Sequence, residues 1–436
     1  MSEHKKRILF VVPKTSYRIR DFMAAADRLG VDLLFASDRC HKLAERWPEL
    51  FGLPLPFNSP DKAVQKATAY LSRHPVHGII AGDDETAVLA ARIAAQAGLP
   101  FHRTEAVENA RNKLAFRQTL RAAGFPTPDF SCFDWNVDPV QLAGSVHYPC
   151  VLKPLVLSGS RGVIRADNPQ QFVQAFRRIR AILTSREFQH CRHKAEYRHI
   201  LVESFIRGSE IAIEGILWRG QLQLLTIFDK PIPLDGPFFE ETIYVMPSSL
   251  PEGVQERIRN ELETICRRLG LYHGPIHAEA RINSTGIYFL EVAPRTIGGL
   301  CSRVLRFGMN LSLEELVIRH ALQEVPDSDA LPRHPAGVMM IPIPGRGKLH
   351  AVRGIDAAKQ VPGIVDIEMT IAPGNLVIPL PEGSSYLGFI FARADSRAAV
   401  IRSLQRAHRH LEFDIHPSLP VMENEAQPAA AAGSCG

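Results

Sequence analysis

Apolar positions in the first hundred residues alternate between two rhythms. Arg7 to Val12 is a continuous apolar run of strand length, Arg20 to Leu29 carries apolar residues at helical spacing and stops at Gly30, and Val31 to Ala36 is a second strand. Gly78 to Ala81 is another short buried strand. It runs into Gly82-Asp83-Asp84-Glu85, whose acidic residues suit the start of a helix from Thr86 to Ala97 that Gly98 ends. This alternation predicts a small doubly wound α/β unit over residues 1–105. Asp83 and Asp84 fit two roles, as ligands at the carboxyl end of a strand or as caps of the helix that follows.

From about 106 to 325 helical and strand periods are mixed. Helices are expected over Asn112–Ala123, Pro169–Leu183, Glu252–Leu269 and Leu313–Leu322, and strands over Tyr148–Pro154, Ile200–Phe205 and Ser209–Trp218. Pro326, Pro332 and Pro335 then mark a linker. Beyond it, strands at Val338–Ile343, Val365–Ile371 and Leu387–Ala392 and a helix at Ala394–His410 predict a small α+β cap over 326–422. The Ala-rich stretch from Glu423 to Gly436 is expected to be a disordered tail. No internal repeat is visible.

Composition narrows the class. A chain of 436 residues suggests about three domains, and 45% hydrophobic with 22% charged residues is a globular balance. The net charge of +5 is scattered, which argues against a nucleic-acid partner. No apolar stretch is long enough to span a bilayer, and the short run ending at Pro13 is followed by no cleavage pattern. The cysteines, Cys40, Cys132, Cys150, Cys191, Cys266, Cys301 and Cys435, are odd in number and lack a CxxC pair, so reduced thiols and a cytoplasmic location are expected.

Two strand-like segments carry an unexpected carboxylate each: Ile276–Ile282 holds Glu279 and Ile287–Val292 holds Glu291, with Asn-Ser-Thr-Gly between. If Ser284, Thr285 and Gly286 form a three-residue loop with Gly286 left-handed, Ile282 pairs with Tyr288 and Glu279 faces Glu291. Two like charges about 5 Å apart are unfavourable unless a cation lies between them.

Other segments suit an anion or a nucleotide. Lys153 ends an apolar strand, and Ser158-Gly159-Ser160-Arg161-Gly162 could close backbone N–H groups on a phosphate or could be an ordinary turn. Neither GxxxxGK[ST] nor GxGxxG is present in the loop. The run Val202-Glu203-Ser204-Phe205-Ile206-Arg207-Gly208-Ser209-Glu210 reads equally as a hairpin with surface charges or as a linker presenting backbone groups to a purine. Lys113, beside Asn112 at a helix start, is by itself a surface lysine.

In order, these motifs resemble the ATP-grasp superfamily of carboxylate–amine and carboxylate–thiol ligases. The resemblance covers about 105–325, and it implies an ATP-grasp fold flanked by an N-terminal pre-ATP-grasp domain and a C-terminal cap, with a mobile lid over about 135–200. By the resemblance Lys113 and Lys153 would contact ATP phosphates under the loop Ser158, Gly159, Ser160 and Gly162. Glu203, Phe205 and Ile206 would line adenine, Glu210 would bind ribose, and Glu279 and Glu291 would hold Mg²⁺, with Mn²⁺ as the alternative. Arg295 would hold the substrate carboxylate and, with Glu291, act at the reacting group. Ala293 departs from the pattern, standing where many members carry a metal-binding asparagine.

The segment Phe238–Pro247 and the Pro-Arg-x-x-Gly-Gly ending look most like L-amino acid ligases and carnosine-synthase-like dipeptide formers. Glu241 would then receive an ammonium group, and Gly298 and Gly299 would approach the substrate. His277, on the Glu279 face, is either a supporting residue or a base. The implied activity is ATP-dependent formation of an amide, as in a dipeptide, through an acyl phosphate, from small-molecule carboxylate and amine substrates. The rivals are a ligase for other acids or amines and a non-catalytic nucleotide-binding module. The superfamily also implies a homodimer. The His190/Cys191/His193/His199 group has loose metal-ligand spacing in a basic polar stretch, and His408-Arg409-His410 suits a helix C-terminus.

Overall fold

The computed structural model describes residues 5–13, 16, 18–38, 52–309, 312–324 and 334–417. Cys40, Cys435, Pro326, Pro332 and the tail from Glu423 lie outside them. Strands β1 (Arg7–Val11), β2 (Asp32–Ser37), β3 (Leu53–Pro54) and β4 (Gly78–Ala81) form a parallel sheet ordered β3-β2-β1-β4. Ile8, Leu9, Phe10 and Val11 are fully buried, as expected where helices cover both faces. Strand order reverses at β1, so the loops after β1 and β4 open the crevice where such sheets bind ligands.

A second sheet is antiparallel, ordered β5-β8-β6-β7, with β5 (Phe130–Asp134), β6 (Cys150–Pro154), β7 (Ile164–Ala166) and β8 (His199–Ser204). The helix Pro169–Leu183 seals one face with Phe172, Phe176, Ile179 and Leu183. Its start is fixed by the Asn168 side chain, which accepts from the Gln171 N–H at 2.9 Å.

The central sheet has eight strands in the order β13-β12-β9-β10-β11-β14-β18-β16. These are β9 (Ser209–Trp218), β10 (Gln221–Asp229), β11 (Ile243–Met246), β12 (Gly274–Asn283), β13 (Gly286–Ala293), β14 (Ala336–Ile341), β16 (Ile364–Met369) and β18 (Gly388–Arg393). The helix Glu252–Leu269 lays Ile258, Leu262, Ile265 and Leu269 on the β9/β12/β13 face, each burial contributing about 2 kcal/mol, and stops at left-handed Gly270. Strand β10 escapes a period-two reading because a bulge between Leu224 and Thr226 breaks its alternation.

The C-terminal region is less separate than the proline cluster suggests. Its strands β14, β18 and β16 extend the central sheet through the β11–β14 ladder, for example Tyr244 opposite Val338. Strands β15 (Gly347–Arg353), β17 (Leu376–Val377) and β19 (Glu412–His416) form a small sheet of their own. Arg303 pins the N-terminal unit to this region, donating to Asp21 at 2.8 and 3.1 Å and to Glu368.

Three histidines sit at the seam between the N-terminal and central units. His273 and His320 have ring centroids 4.0 Å apart, and His102 accepts from the Tyr272 N–H at 3.2 Å. Burial pushes all three below the usual histidine range, His102 and His273 to about 4 and His320 to about 3, with Arg219 adding to the effect at His273. Their folded values lie below the unfolded one, so the unfolded chain binds the extra protons between pH 6.5 and 4. Stability should therefore be complete above pH 6.5 and fall as the pH drops, by about 1.4 kcal/mol per pH unit for each histidine that protonates only on unfolding. Urea unfolding between pH 7.5 and 4.5 checks this, and His273→Phe should flatten the slope.

Candidate active site

Strand register builds the site from the centre outwards. Across β9, β12 and β13 three rows line up: Glu214, His277 and Ala293; Ala212, Glu279 and Glu291; Glu210, Arg281 and Tyr288. Directly opposed residues share a face, so the charged residues point one way while Ile211, Ile213, Ala278, Ala280 and Val292 fill the core behind. The turn differs from the expected one. Ser284 and Thr285 form a two-residue turn, Gly286 opens β13, and Ile282 pairs with Ile287, not Tyr288. A bulge between Glu279 and Ala280 takes up Leu290 and restores the opposition of Glu279 and Glu291.

Four carboxylates gather at this end of a cavity of about 490 Å³. Lys230, just past β10, reaches Glu210 at 2.8 Å, Glu279 at 3.1 Å and Glu241. Burial alone would push the Lys230 ammonium down, but Glu210, Glu241 and Glu279 hold it well above the usual lysine range. Burial raises Glu241, and the Glu279 charge adds to it. At Glu279 burial pushes upward, and the Lys230 charge together with the His277 hydrogen bond brings the carboxyl below its usual range.

His277 links to this cluster. Its Nδ1 is 2.7 Å from Glu214 Oε1 and its Nε2 3.6 Å from Glu279 Oε1. Burial opposes protonation, yet the hydrogen bonds to Glu214 and Glu279 hold the imidazole at about 9, so it is a cation at neutral pH. A histidine held charged is a donor, which disfavours its reading as a base. Glu214 Oε2 is buried without a hydrogen-bond partner.

Basic residues lie beside this hairpin. Arg117 donates to Glu203 at 2.6 Å and to the Phe289 carbonyl at 2.9 Å, and Lys153 also pairs with Glu203. Two cations share one carboxylate, and burial lowers Lys153 to about 8 despite that partner. Lys113 Nζ donates to the Leu157 carbonyl at 2.6 Å, just ahead of the loop 158–162. An excess of buried positive charge beside a loop with Gly159, Ser160 and Gly162 at positive φ suits a polyphosphate.

The N-terminal sheet completes the wall. Asp83 caps the helix Asp84–Ala97, accepting from the Thr86 N–H at 2.8 Å, which leaves Asp84 to bind Arg295 at 2.8 Å. Capping thus falls to Asp83, and Asp84 is an ion-pair partner. Arg18, after β1, donates to the Gly82 carbonyl at 3.3 Å and to Thr296. Gly299 touches the Phe389 ring so closely that a Cβ there would lie 2.8 Å from it.

Lys113, Lys153, Ser158, Gly159, Ser160, Glu203, Phe205, Ile206, Glu210, Glu241, His277, Glu279, Glu291, Arg295, Gly298 and Gly299 all line this cavity. Gly162 does not. Its N–H donates to the Pro381 carbonyl at 2.9 Å, and a Cβ would strike the Pro154 ring at 2.8 Å. Both Glu210 oxygens are engaged, by Lys230 and by Arg281, and the Ile206 carbonyl accepts from Arg281 at 2.7 Å. Among the described residues the His190 group does not converge on a common point. Lys230, Arg117, Arg281, Glu214 and Arg18 were not foreseen. Arg117 lies one turn after Lys113, and Arg281 two residues after Glu279, so helix and strand periods could have found those two.

Glu279 and Glu291 face each other as a pair of hard oxygen donors suited to a divalent ion, whereas the convergence of Glu210, Glu241 and Glu279 is filled by the Lys230 ammonium. Comparisons with known proteins address the family of the chain. Family models match for an ATP-grasp N-terminal domain over residues 23–101, an ATP-grasp domain over 146–304 and an L-amino acid ligase C-terminal domain 2 over 339–416. The chain is 25% identical to dapdiamide A synthase of Enterobacter agglomerans over 368 residues, 82% of this chain and 84% of that one. It is 22% identical to an L-arginine-specific L-amino acid ligase of Bacillus subtilis, over 61% of this chain and 62% of that one. The crystal structure of an L-amino acid ligase from Bacillus licheniformis superposes with a TM-score of 0.77 at 25% identity, covering 95% of this chain and all of that one. The chain thus carries an ATP-grasp domain between an ATP-grasp N-terminal domain and an L-amino acid ligase C-terminal domain, and these matches support an ATP-dependent ligase.

Proposed function

We infer that the protein activates the carboxylate of one amino acid with ATP and joins it to the amine of a second, releasing ADP and phosphate. The observation that carries this reading is one cavity lined both by the lysines Lys113 and Lys153 and by the facing carboxylates Glu279 and Glu291, with the Glu291 charge acting on Lys113. The carboxylate oxygen attacks the γ-phosphorus and ADP leaves. The amine nitrogen then attacks the acyl phosphate carbonyl, phosphate departs, and the nitrogen loses a proton.

The residues divide this work. Lys153, lowered to about 8 by burial yet paired with Glu203, turns its ammonium to the arriving polyphosphate. Phe205 and Phe239, with ring centroids 6.3 Å apart, give adenine an apolar slot beside the 203–206 linker. Mg²⁺ at Glu279 and Glu291, or Mn²⁺ in its place, would neutralise charge on the transferred phosphoryl group. Arg295, kept charged by Asp84 against burial, holds the carboxylate and its acyl phosphate. His277, bonded to Glu214 and Glu279, positions the Glu279 carboxylate. Glu241 takes the incoming ammonium group, while Tyr244, Ile297, Met340 and Tyr386 form a wall suited to an apolar side chain.

Lid and C-terminal region meet over the phosphates. Arg178 donates to both Glu382 oxygens at 2.5 and 2.9 Å, Gly162 bonds Pro381, and Ser384 packs against Gly159. These contacts hold the loop 158–162 over the cavity and keep water from the acyl phosphate.

Two measurements test this. ADP release should require two amino acids, mass spectrometry should detect the dipeptide, and Glu279→Gln or Glu291→Gln should lower turnover by roughly 10²-fold or more while circular dichroism stays unchanged. Failure of every amino acid pair removes the dipeptide reading, and ADP binding with no turnover in any acid–amine mixture favours a nucleotide-binding module. Glu382→Ala should weaken ADP binding about 2- to 5-fold through loss of a half-exposed ion pair, as read by calorimetry.

A further inference from the structure

A second group of ligating side chains lies on the small sheet β17-β15-β19, none of whose residues lines the cavity. Asp414 and His416, two apart on β19, share one face of that strand. Opposite them the ladder runs Lys348 to His416, Leu349 to Ile415 and then Ala351 to Asp414, so β15 carries one extra residue, His350, at a bulge. The bulge re-aims that side chain toward the Asp414 face. The His350 and His416 rings stack with centroids 4.7 Å apart and planes 13° from parallel, so a shared ion requires one ring to turn until its nitrogen lone pair points between them. His416 Nε2 is 2.9 Å from Asp414 Oδ1, and one donor atom from each of the three residues lies within 4.8 Å of the others.

We propose that His350, Asp414 and His416 form a binding site for a divalent transition ion of the Zn²⁺ type. Two imidazole nitrogens and one carboxylate oxygen are a borderline-soft donor set, which selects Zn²⁺ over Mg²⁺ or Ca²⁺. Water fills the remaining position, because His350 and His416 are exposed. Lys348 in the His416 row and Arg353, 3.8 Å from Asp414 Oδ2, set the cost: the ion displaces Arg353 and tolerates a nearby ammonium. In return it ties edge strand β19 to β15 across the bulge, where the ladder is interrupted. The other converging group, Glu210, Glu241 and Glu279, is all carboxylate and is filled by the Lys230 ammonium.

The test is Zn²⁺ titration of the full chain against a chromogenic chelator, with saturating Mg²⁺ and ADP filling the active site. One Zn²⁺ per chain is expected. His350→Ala and His416→Gln should each weaken it at least tenfold, Asp414→Asn should weaken it less, and all three should keep ADP binding and metal-free melting temperature. Zn²⁺ should raise the melting temperature of the native chain and not of His350→Ala. Absence of Zn²⁺ binding under these conditions, or binding unchanged in His350→Ala as thiol ligation would give, overturns the proposal.

Discussion

The register of three neighbouring strands, β9, β12 and β13, governs the rest of this molecule. Because side chains alternate, a slip of one residue would send Glu210, Glu214, Glu279 and Glu291 into the core and bring Ile211, Ile213 and Ala278 into the cavity. The apolar face under the helix Glu252–Leu269 forbids that slip, so hydrophobic packing on one side fixes the acid pattern on the other. Small Ala212 and Ala293 flank the facing pair and leave room beside it.

Concentrated charge has to be balanced before substrates arrive, and the fold does this with tethered partners. Lys230 sits among three carboxylates, Arg281 joins Glu210 to the linker carbonyl of Ile206, and Glu203 lies between Arg117 and Lys153. Each pair is almost dry, so removing one partner would leave an uncompensated buried charge. Lys113 and Lys153 line the same cavity as the facing carboxylates Glu279 and Glu291, a mixture of charge suited to a polyphosphate with its metal ion.

What the sequence disclosed follows from how local each determinant is. The helices Pro169–Leu183 and Glu252–Leu269 were legible to the residue, because Asn168 and Gly270 mark a start and a stop within the element itself. The facing of Glu279 and Glu291 was legible, although the route differs: the extra residue enters as a bulge at Leu290 and not in the turn. Lys230 was not, since its three carboxylate partners come from positions 20 residues before it, 11 after it and 49 after it. The joining of β14 to β11 was hidden too, because proline punctuation reports where a chain turns and not which strand edge it later meets.

The central claim is that the β12–β13 hairpin holds a divalent ion at the phosphate end of a nucleotide. A crystal structure with ADP and Mn²⁺, read through the manganese anomalous signal, tests it most directly. The account predicts a peak at roughly 2.2 Å from carboxylate oxygens of both Glu279 and Glu291, with Lys153 on the phosphates. A peak held by other residues, with those two carboxylates still paired only to protein cations, would contradict it.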